Sequence, residues 1–441
     1  MEDPEFGGPP AGGPPREPDA PFGAGPAAAA PVQEPGAGPG KRRRRKRRRG
    51  RRVFVRASDA HSAPPAQQPV EAPRPVPRAE GAGPAAQPPR AANTAPPRRP
   101  ARSDQPLYAA LDLGTNNCRL LVAVPGRPGQ FRVVDAFSRI VRLGEGLAAH
   151  GRLSDAAMDR AVEALKVCAD KLAARDVRRR RLIATEACRT AENGNEFLAR
   201  VEKEAGIALE IIDRETEARL AVSGCGPLVE RGTDAVVLFD IGGGSSEIAL
   251  IDVSRHRNPR LAHHIVAWTS LPVGVVSLAE RFGGRQVTRA TFEAMVADVG
   301  QRLQGFEQRE KLGALARGTR FHLLGTSGTV TTLAGVHLGL ERYDRRRVDG
   351  LWMRRAEVDA MIARLLSWEF DERVANPCIG ADRADLVLAG CAILEAIRRV
   401  WPAERLRVAD RGLREGILSE LMAEDGVWAR GWRRRAQEGR A

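Results

Sequence analysis

Cysteine is scarce and scattered. The 441 residues hold six (Cys118, Cys168, Cys188, Cys225, Cys378 and Cys391), none in a CxxC pair and none beside histidine. That spacing argues against a disulfide framework or a zinc cluster and fits a reducing compartment. No uncharged apolar run approaches the roughly 18 residues that a membrane-crossing helix needs. The opening MEDPEFGGPP is acidic and has no apolar core, unlike a secretory signal. The expectation is a soluble, cytoplasmic protein without a membrane partner. No glycine turn is followed by Gly-Lys-[Ser/Thr], which excludes a Walker P-loop. No Ser/His/Asp or Cys/His arrangement stands out, so a covalent nucleophile is not indicated.

Large apolar residues are almost missing from residues 1–105, which contain 23 of the 31 prolines. Such a segment cannot bury enough apolar surface to offset its chain entropy, and it reads as a disordered arm. The arm carries 19 Lys+Arg against 10 Asp+Glu, a net of +9 out of +15 for the whole chain. The last dozen residues, RGWRRRAQEGRA, add five Arg against Glu438. The folded body is therefore nearly neutral, and the basic character sits at the two ends. The run KRRRRKRRRGRR (41–52) lacks interleaved aromatics and helical periodicity. It is a candidate for non-specific contact with RNA or another polyanion, and equally for a solvated tail.

From Leu107 onward, strand-like and helix-like segments alternate, which argues for an α/β architecture. LYAALDLG and CRLLVAV read as strands around a short turn. Residues 154–177 read as a helix capped by Ser154, with Met158, Val162, Leu165 and Leu172 as its core stripe. RRLIATEACRT reads as a strand opening into a loop, NEFLARVEKEAG as a helix ending at Gly206, and IALEIID as a strand. RADLVLAGCAILEAIRRV (383–400) reads as a long apolar helix stopped by Pro402. LRVADRGLREGIL (406–418) gives a strand, a tight turn and a final helix.

Two segments share one plan. ALDLGTNNCRLLVA (110–123) and LFDIGGGSSEIALI (238–251) each run strand, Asp, apolar residue, Gly, small polar turn, strand, with Asp112 and Asp240 128 residues apart. A plain hairpin needs only one or two glycines. Three in a row at Gly242, Gly243 and Gly244 imply that something approaches the main chain closely. If each copy opens its own domain, the turns can face each other across a cleft, a common place for a ligand. A third turn, LGTSGT (324–329), leads from a strand into a helix, where free backbone N–H groups can meet an anion. Glycine turns donate several N–H bonds to one phosphate. Asp112 and Asp240 would repel that phosphate unless a hard cation such as Mg²⁺ lies between them. Each turn taken alone is better explained as an ordinary hairpin; the three together with paired aspartates favour a phosphate site.

The ordered set ALDLGTNNCRLL, VRLGEGL (141–147), ATEACRTAENGNEFL (184–198), IIDRETEARL (211–220), DIGGGSSE, LGTSGT and DRGLREG (410–416) resembles the exopolyphosphatase/guanosine pentaphosphate phosphatase family, a branch of the actin-like ATPase superfamily. The resemblance spans about Tyr108 to Leu421. It implies two actin-like (ribonuclease H-like) α/β domains around an interdomain cleft, preceded by the disordered basic arm. The domains would cover 106–222 and 223–425, with the C-terminal helix free to return to the first, and 426–441 forming a basic tail. It implies hydrolysis of a terminal phosphoanhydride of polyphosphate or pppGpp with Mg²⁺ or another divalent cation. Glu217 would be the general base and Glu247 would orient the water. Gly242, Gly243, Gly244, Ser245 and Ser246 would hold the terminal phosphoryl group, with Gly114, Thr115, Asn116 and Asn117 facing them. Arg189 would contact phosphate, Ser327 and Gly328 would line a third wall, and Asp112 and Asp240 would lie near the metal. A homodimer is also in the family's pattern. Standing alone, Glu217 and Arg189 would read as surface charges.

The chain departs from that pattern at Asn117 (commonly Ser), Ser246 (commonly Thr) and Thr216 (commonly Glu). It also ends soon after LREG, without the helical hydrolase-like domain of longer members, which puts long-chain processivity in doubt. Two other readings use the same scaffold: an ATP-dependent kinase, which needs a hydroxyl acceptor and a catalytic Asp, and a sensor or RNA-associated protein that binds without turnover.

Overall fold

Strand residues that alternate between two buried faces set the architecture. The structure, a computed structural model, describes residues 105–258 and 260–428. The arm expected over 1–105 and the tail expected over 426–441 lie outside these residues, except for Gln105 and the three residues 426–428. The first lobe contains β1 (Leu107–Leu113), β2 (Asn117–Pro125), β3 (Phe131–Ile140), α1 (Leu147–His150), α2 (Asp155–Ala173) and β4 (Val177–Ala184). It continues with α3 (Glu186–Thr190), α4 (Gly194–Ala205), β5 (Glu210–Ile211) and α5 (Arg214–Cys225). The second lobe contains β6 (Ala235–Ile241), β7 (Ser246–Asp252), β8 (Ile265–Leu271), α6 (Val275–Phe282), α7 (Arg289–Gln304), β9 (Phe321–Thr326) and α8 (Gly328–His337). After these come α9 (Arg345–Val348), β10 (Trp352–Arg354), α10 (Arg355–Ser367), α11 (Phe370–Ala375), α12 (Val387–Val400), β11 (Arg405–Ala409) and α13 (Leu413–Glu424).

The two sheets repeat one another. The first has the order β3-β2-β1-β4-β5, and the second β10-β11-β9-β6-β7-β8. In each, the opening strand pairs antiparallel with the next, which pairs antiparallel with a third. On its other side the opening strand pairs parallel with a fourth, and that with a fifth. The echo seen between two short segments thus extends over five strands, which is the doubling of an actin-like fold. Alternation along β1 sends Ala109, Leu111 and Leu113 into one core and Tyr108 and Ala110 into another. Along β6, Val237 and Phe239 join one core while Val236 and Leu238 join the opposite one.

Two helices run between the sheets. Leu413, Ile417, Leu418, Leu421 and Met422 of α13 pack with Tyr108 and Ile183 on the first sheet. Ala221, Val222 and Cys225 of α5 pack with Val236, Leu238 and Ala249 on the second. The expected domain boundary at 222/223 therefore falls inside α5. Where α5 and α13 cross, a Cβ on Gly416 would stand 2.0 Å from the Leu220 carbonyl oxygen, so backbone lies directly on backbone.

Several segments differ from their sequence reading. The helix after Ser154 ends at Ala173, because Val177 to Arg181 are taken up by parallel pairing with β1. The expected loop after β4 coils into α3. IALEIID shrinks to the two-residue β5 at the sheet edge, where only Ile183 and Ala184 offer partners. The long apolar helix starts at Val387, since Arg383, Ala384 and Leu386 close turns on Gly380 and Arg383. Ser154 does cap α2, its side chain accepting from Ala157 N–H, and Gly206 ends α4 in the left-handed conformation. All six cysteines are free and buried. No helix among the described residues is long and apolar enough to cross a membrane.

Candidate active site

The β1–β2 and β6–β7 turns close identically. Gly114 N–H donates to Asn117 O at 2.9 Å, and Gly242 N–H donates to Ser245 O at 2.9 Å. Both turns sit at the carboxyl ends of central strands, where open α/β sheets present ligands. They also touch. A Cβ on Gly243 would lie 2.9 Å from Thr115 Cβ and 3.2 Å from Asn116 N, so only a bare backbone allows this approach. Behind the contact opens a cleft of about 560 Å³ bounded by the two turns, the third turn and the start of α13.

The third turn is strained. Ser327, the N-cap of α8, has φ +99°, a region that non-glycine residues rarely occupy and that recurs at ligand clamps. It aims the α8 N-terminus at the cleft, which is also lined by Gly328. Arg383 Nη1 lies 3.7 Å from where a Gly328 Cβ would be. Among the described residues its guanidinium has no acidic partner.

Strand register brings the acids together. Asp112 pairs across the first hairpin with Arg119, and Asp240 pairs across the second with Glu247. The duplicated position therefore carries a cation in one lobe and an anion in the other. Ser245 Oγ and Ser270 Oγ donate to Glu247 Oε1 at 2.6 and 2.9 Å. Glu217 lies in the first turn of α5, whose start is fixed by Asp213 Oδ1 accepting from Thr216 N–H at 2.7 Å. Asp112, Asp240, Glu217 and Glu247 all face the same cleft.

Crowded, buried carboxylates hold protons more tightly. Burial and then the charge of Glu247 push Glu217 well above the usual carboxylate range, with Arg189 opposing. Burial also raises Glu247, against the hydrogen bonds from Ser245 and Ser270. Asp240 is pushed up to about 7 by burial, Glu247 and Asp112. Burial raises Asp112 too, with Arg414 and Arg119 pulling the other way.

Of the expected phosphate contacts, Gly114, Thr115, Asn116, Asn117, Gly242, Gly243, Gly244, Ser245, Ser327 and Gly328 line the cleft. Ser246 and Arg189 do not. Ser246 points its hydroxyl into the lobe, donating to Val273 O at 2.7 Å, and is fully buried in β7. Arg189 stands behind Glu217, bound to Glu217 and Glu186. Sequence reasoning left several cleft residues unassigned: Arg119, Glu186, Arg383, Arg414 and Glu415. All but Arg383 lie within motifs already singled out (ALDLGTNNCRLL, ATEACRT and DRGLREG), but nothing in those strings tells a buried charge from an exposed one. Burial would raise Glu186, yet hydrogen bonds from Arg214 and Arg189 hold it below the usual range. Arg414 and Arg345 do the same for the buried Glu415.

The donor set suits a hard cation. Asp112 and Asp240 offer carboxylate oxygens, and Asn116 Oδ1 and Asn117 Oδ1 are buried without a hydrogen-bond partner. All-oxygen ligation is what Mg²⁺ or a similar ion takes. Among the described residues no three His, Cys, Asp or Glu side chains form a ready-made cage. Such an ion would need substrate oxygens and water to complete its shell.

Residues 123–425 match the Ppx/GppA phosphatase family. A guanosine-5'-triphosphate,3'-diphosphate pyrophosphatase of Photobacterium profundum is 29% identical over 324 residues, 72% of this chain and 60% of that protein. The match thus leaves about two fifths of that longer relative uncovered. Exopolyphosphatase 2 of Mycobacterium tuberculosis is 31% identical over 330 residues, 71% of this chain and 98% of that protein. The crystal structure of the Aquifex aeolicus Ppx/GppA family member superposes with a TM-score of 0.58 at 26% identity, covering 73% of this chain and 98% of that one. With its twin sheets, facing turns and a match across most of its described length, this chain belongs to the Ppx/GppA phosphatase family.

Proposed function

We propose that the chain hydrolyses the terminal phosphoanhydride of inorganic polyphosphate or pppGpp and releases orthophosphate. The observation that carries this reading is the convergence, in one cleft, of two amide-lined turns with Glu217, a carboxylate whose proton affinity is raised. Phosphoryl transfer needs positioning and charge stabilisation more than covalent chemistry. The Gly242–Ser245 turn and the Gly114–Asn117 turn supply backbone N–H groups for the terminal phosphoryl oxygens. The α8 N-terminus at Ser327 and Gly328 supplies more. Arg119 and Arg383, both on the cleft wall, add positive charge to the phosphate track.

Glu217 takes the proton of the attacking water. Water oxygen bonds to the terminal phosphorus, the bridging P–O bond breaks, and its electron pair leaves with the shortened chain. A carboxylate whose proton affinity is raised by burial is a stronger base for that transfer than an exposed one. Glu247, fixed by two serine hydroxyls, orients the water. A divalent cation held by Asp112 and Asp240 would neutralise phosphate charge and relieve the repulsion among the four acids.

The test is phosphate release with Mg²⁺, measured in parallel on long polyphosphate, short polyphosphate, pppGpp and ATP. Release from at least one of the first three, and a fall of roughly two to four orders of magnitude in Glu217→Gln, is the expected result. Tight binding of all substrates without release would make the cleft a sensor. Release from ATP only when a sugar is present would make it a kinase.

A further inference from the structure

Arg142 lies on the first lobe, in the 141–146 loop whose Val141 and Leu143 are buried in that lobe's core. Its guanidinium crosses to the second lobe. Nη1 donates to Asp385 Oδ2 at 3.0 Å, and Nη2 donates to Asp385 Oδ1 at 3.1 Å and to Asp382 O at 3.0 Å. This is a bidentate fork, the strong form of an arginine–carboxylate pair. Gly146 N–H makes a second crossing bond, to Glu280 Oε1 at 2.9 Å.

Both ends of the fork are anchored in site elements. On the first lobe, Val141 and Arg142 N–H both donate to Asn116 O, and Gly144 N–H donates to Thr115 O, so the loop is an extension of the first phosphate turn. Arg142 itself has φ +46°, an uncommon backbone state for a side-chain-bearing residue. Arg160 steadies it by donating to Val141 O and Arg142 O. On the second lobe, Asp382 and Asp385 flank Arg383, whose guanidinium stands over Gly328 at the third turn. Arg142 thus staples the residues on either side of Arg383 from across the cleft.

We propose that Arg142 is a positioning residue that couples closure of the two lobes to presentation of Arg383. The coupling rests on the phosphatase reading above, in which Arg383 meets the substrate's phosphates. With the fork made, the first turn, the third turn and Arg383 form one rigid frame. With it broken, the lobes part and Arg383 loses its aim.

The experiment has two arms on the full chain. In the first, kcat/KM for short polyphosphate and for pppGpp is measured for Arg142→Gln, Arg383→Gln and the double variant, with Asp385→Asn as a second way to break the fork. Arg142→Gln and Asp385→Asn should each lower kcat/KM on the order of 10–100-fold, the scale of a misplaced catalytic frame. Arg142→Gln should cost the Arg383→Gln variant clearly less than it costs the wild type, because only its effect on lobe closure remains. An Arg142→Gln effect as large in the Arg383→Gln background as in the wild type would overturn the proposal, as would no effect in the wild type. In the second arm, spin labels on Glu202→Cys and Ala294→Cys report the distance between lobes. Both sites are exposed and all native cysteines are buried, so labelling is selective. Arg142→Gln should lengthen or broaden that distance, and an unchanged distribution counts against the latch. If the wild type releases phosphate from no substrate, the phosphatase reading fails while the distance arm still judges the latch.

Discussion

Arg189 Nη2 donates to Glu217 Oε2 at 2.9 Å and to Glu186 Oε2 at 2.6 Å, so one guanidinium bridges the candidate base to a second buried acid. Arg214 holds the other Glu186 oxygen at 2.8 Å. Arg189, expected to contact phosphate, is paired here with two carboxylates. It restrains the orientation of Glu217 and partly offsets the burial that raises its pKa.

In the proposed role of general base, Glu217 must be deprotonated to accept a proton from water. Arg189 lowers its proton affinity, so Arg189→Met should raise the Glu217 pKa further and move the acid limb of the kcat/KM profile to higher pH. The variant should be slow at neutral pH and recover part of its rate at alkaline pH. A phosphate-binding arginine would instead raise KM across the whole range without moving the limb.

The contact between the turns gives a second expectation. Gly243→Ala places a methyl group 2.9 Å from Thr115 Cβ, and the turns must separate to admit it. A displacement of about 1 Å in a reacting frame costs about a hundredfold in rate. Phosphate release should drop on that scale, with little change in the thermal midpoint because the turn borders a cleft rather than a core.

Much of this was legible in the sequence because it is local. The doubled Asp-x-Gly turn, the Ser154 cap and the Gly206 stop each declare themselves within a few residues. The turns and acids that line the cleft stand out the same way, through motif order. What stayed hidden depends on long-range placement. Ser246 is a hydroxyl residue in a string expected to bind phosphate, yet strand alternation turns it inward to Val273. Arg383 lies far along the chain from either glycine turn and reaches the cleft only through tertiary packing. Thr216, in place of a common Glu, is half-buried, does not line the cleft and donates its backbone N–H to Asp213, so the missing charge is not one that faces Glu217 from within the cleft.

The arginine-rich arm should act as a separable polyanion tether. It carries a net of +9, and each phosphate neutralised by a cation adds to the salt dependence of binding. Deleting residues 1–105 should leave turnover of short substrates intact, weaken polyanion binding and flatten the slope of log affinity against log salt. Equal slopes for the full-length and truncated chains would remove the arm from substrate capture.

The helix crossing between the sheets is where stability and chemistry meet. On Gly416 of α13 a Cβ would stand 2.0 Å from Leu220 O, and on Gly224 of α5 one would stand 1.9 Å from Gly412 O. Both obstacles are backbone atoms, which cannot rotate away as a side chain can. Gly416→Ala must therefore push α13 off α5, opening the core in which Leu220 packs against Leu413, Ile417 and Leu418. Overpacking of this kind costs about 1–3 kcal/mol, and the urea midpoint should fall accordingly. Because α5 also carries Glu217, the surviving folded fraction should turn over more slowly than the wild type at saturating substrate. A Gly416→Ala protein with native midpoint and native rate would mean the two helices tolerate separation, and the rigid placement of Glu217 from α5 would lose its physical basis.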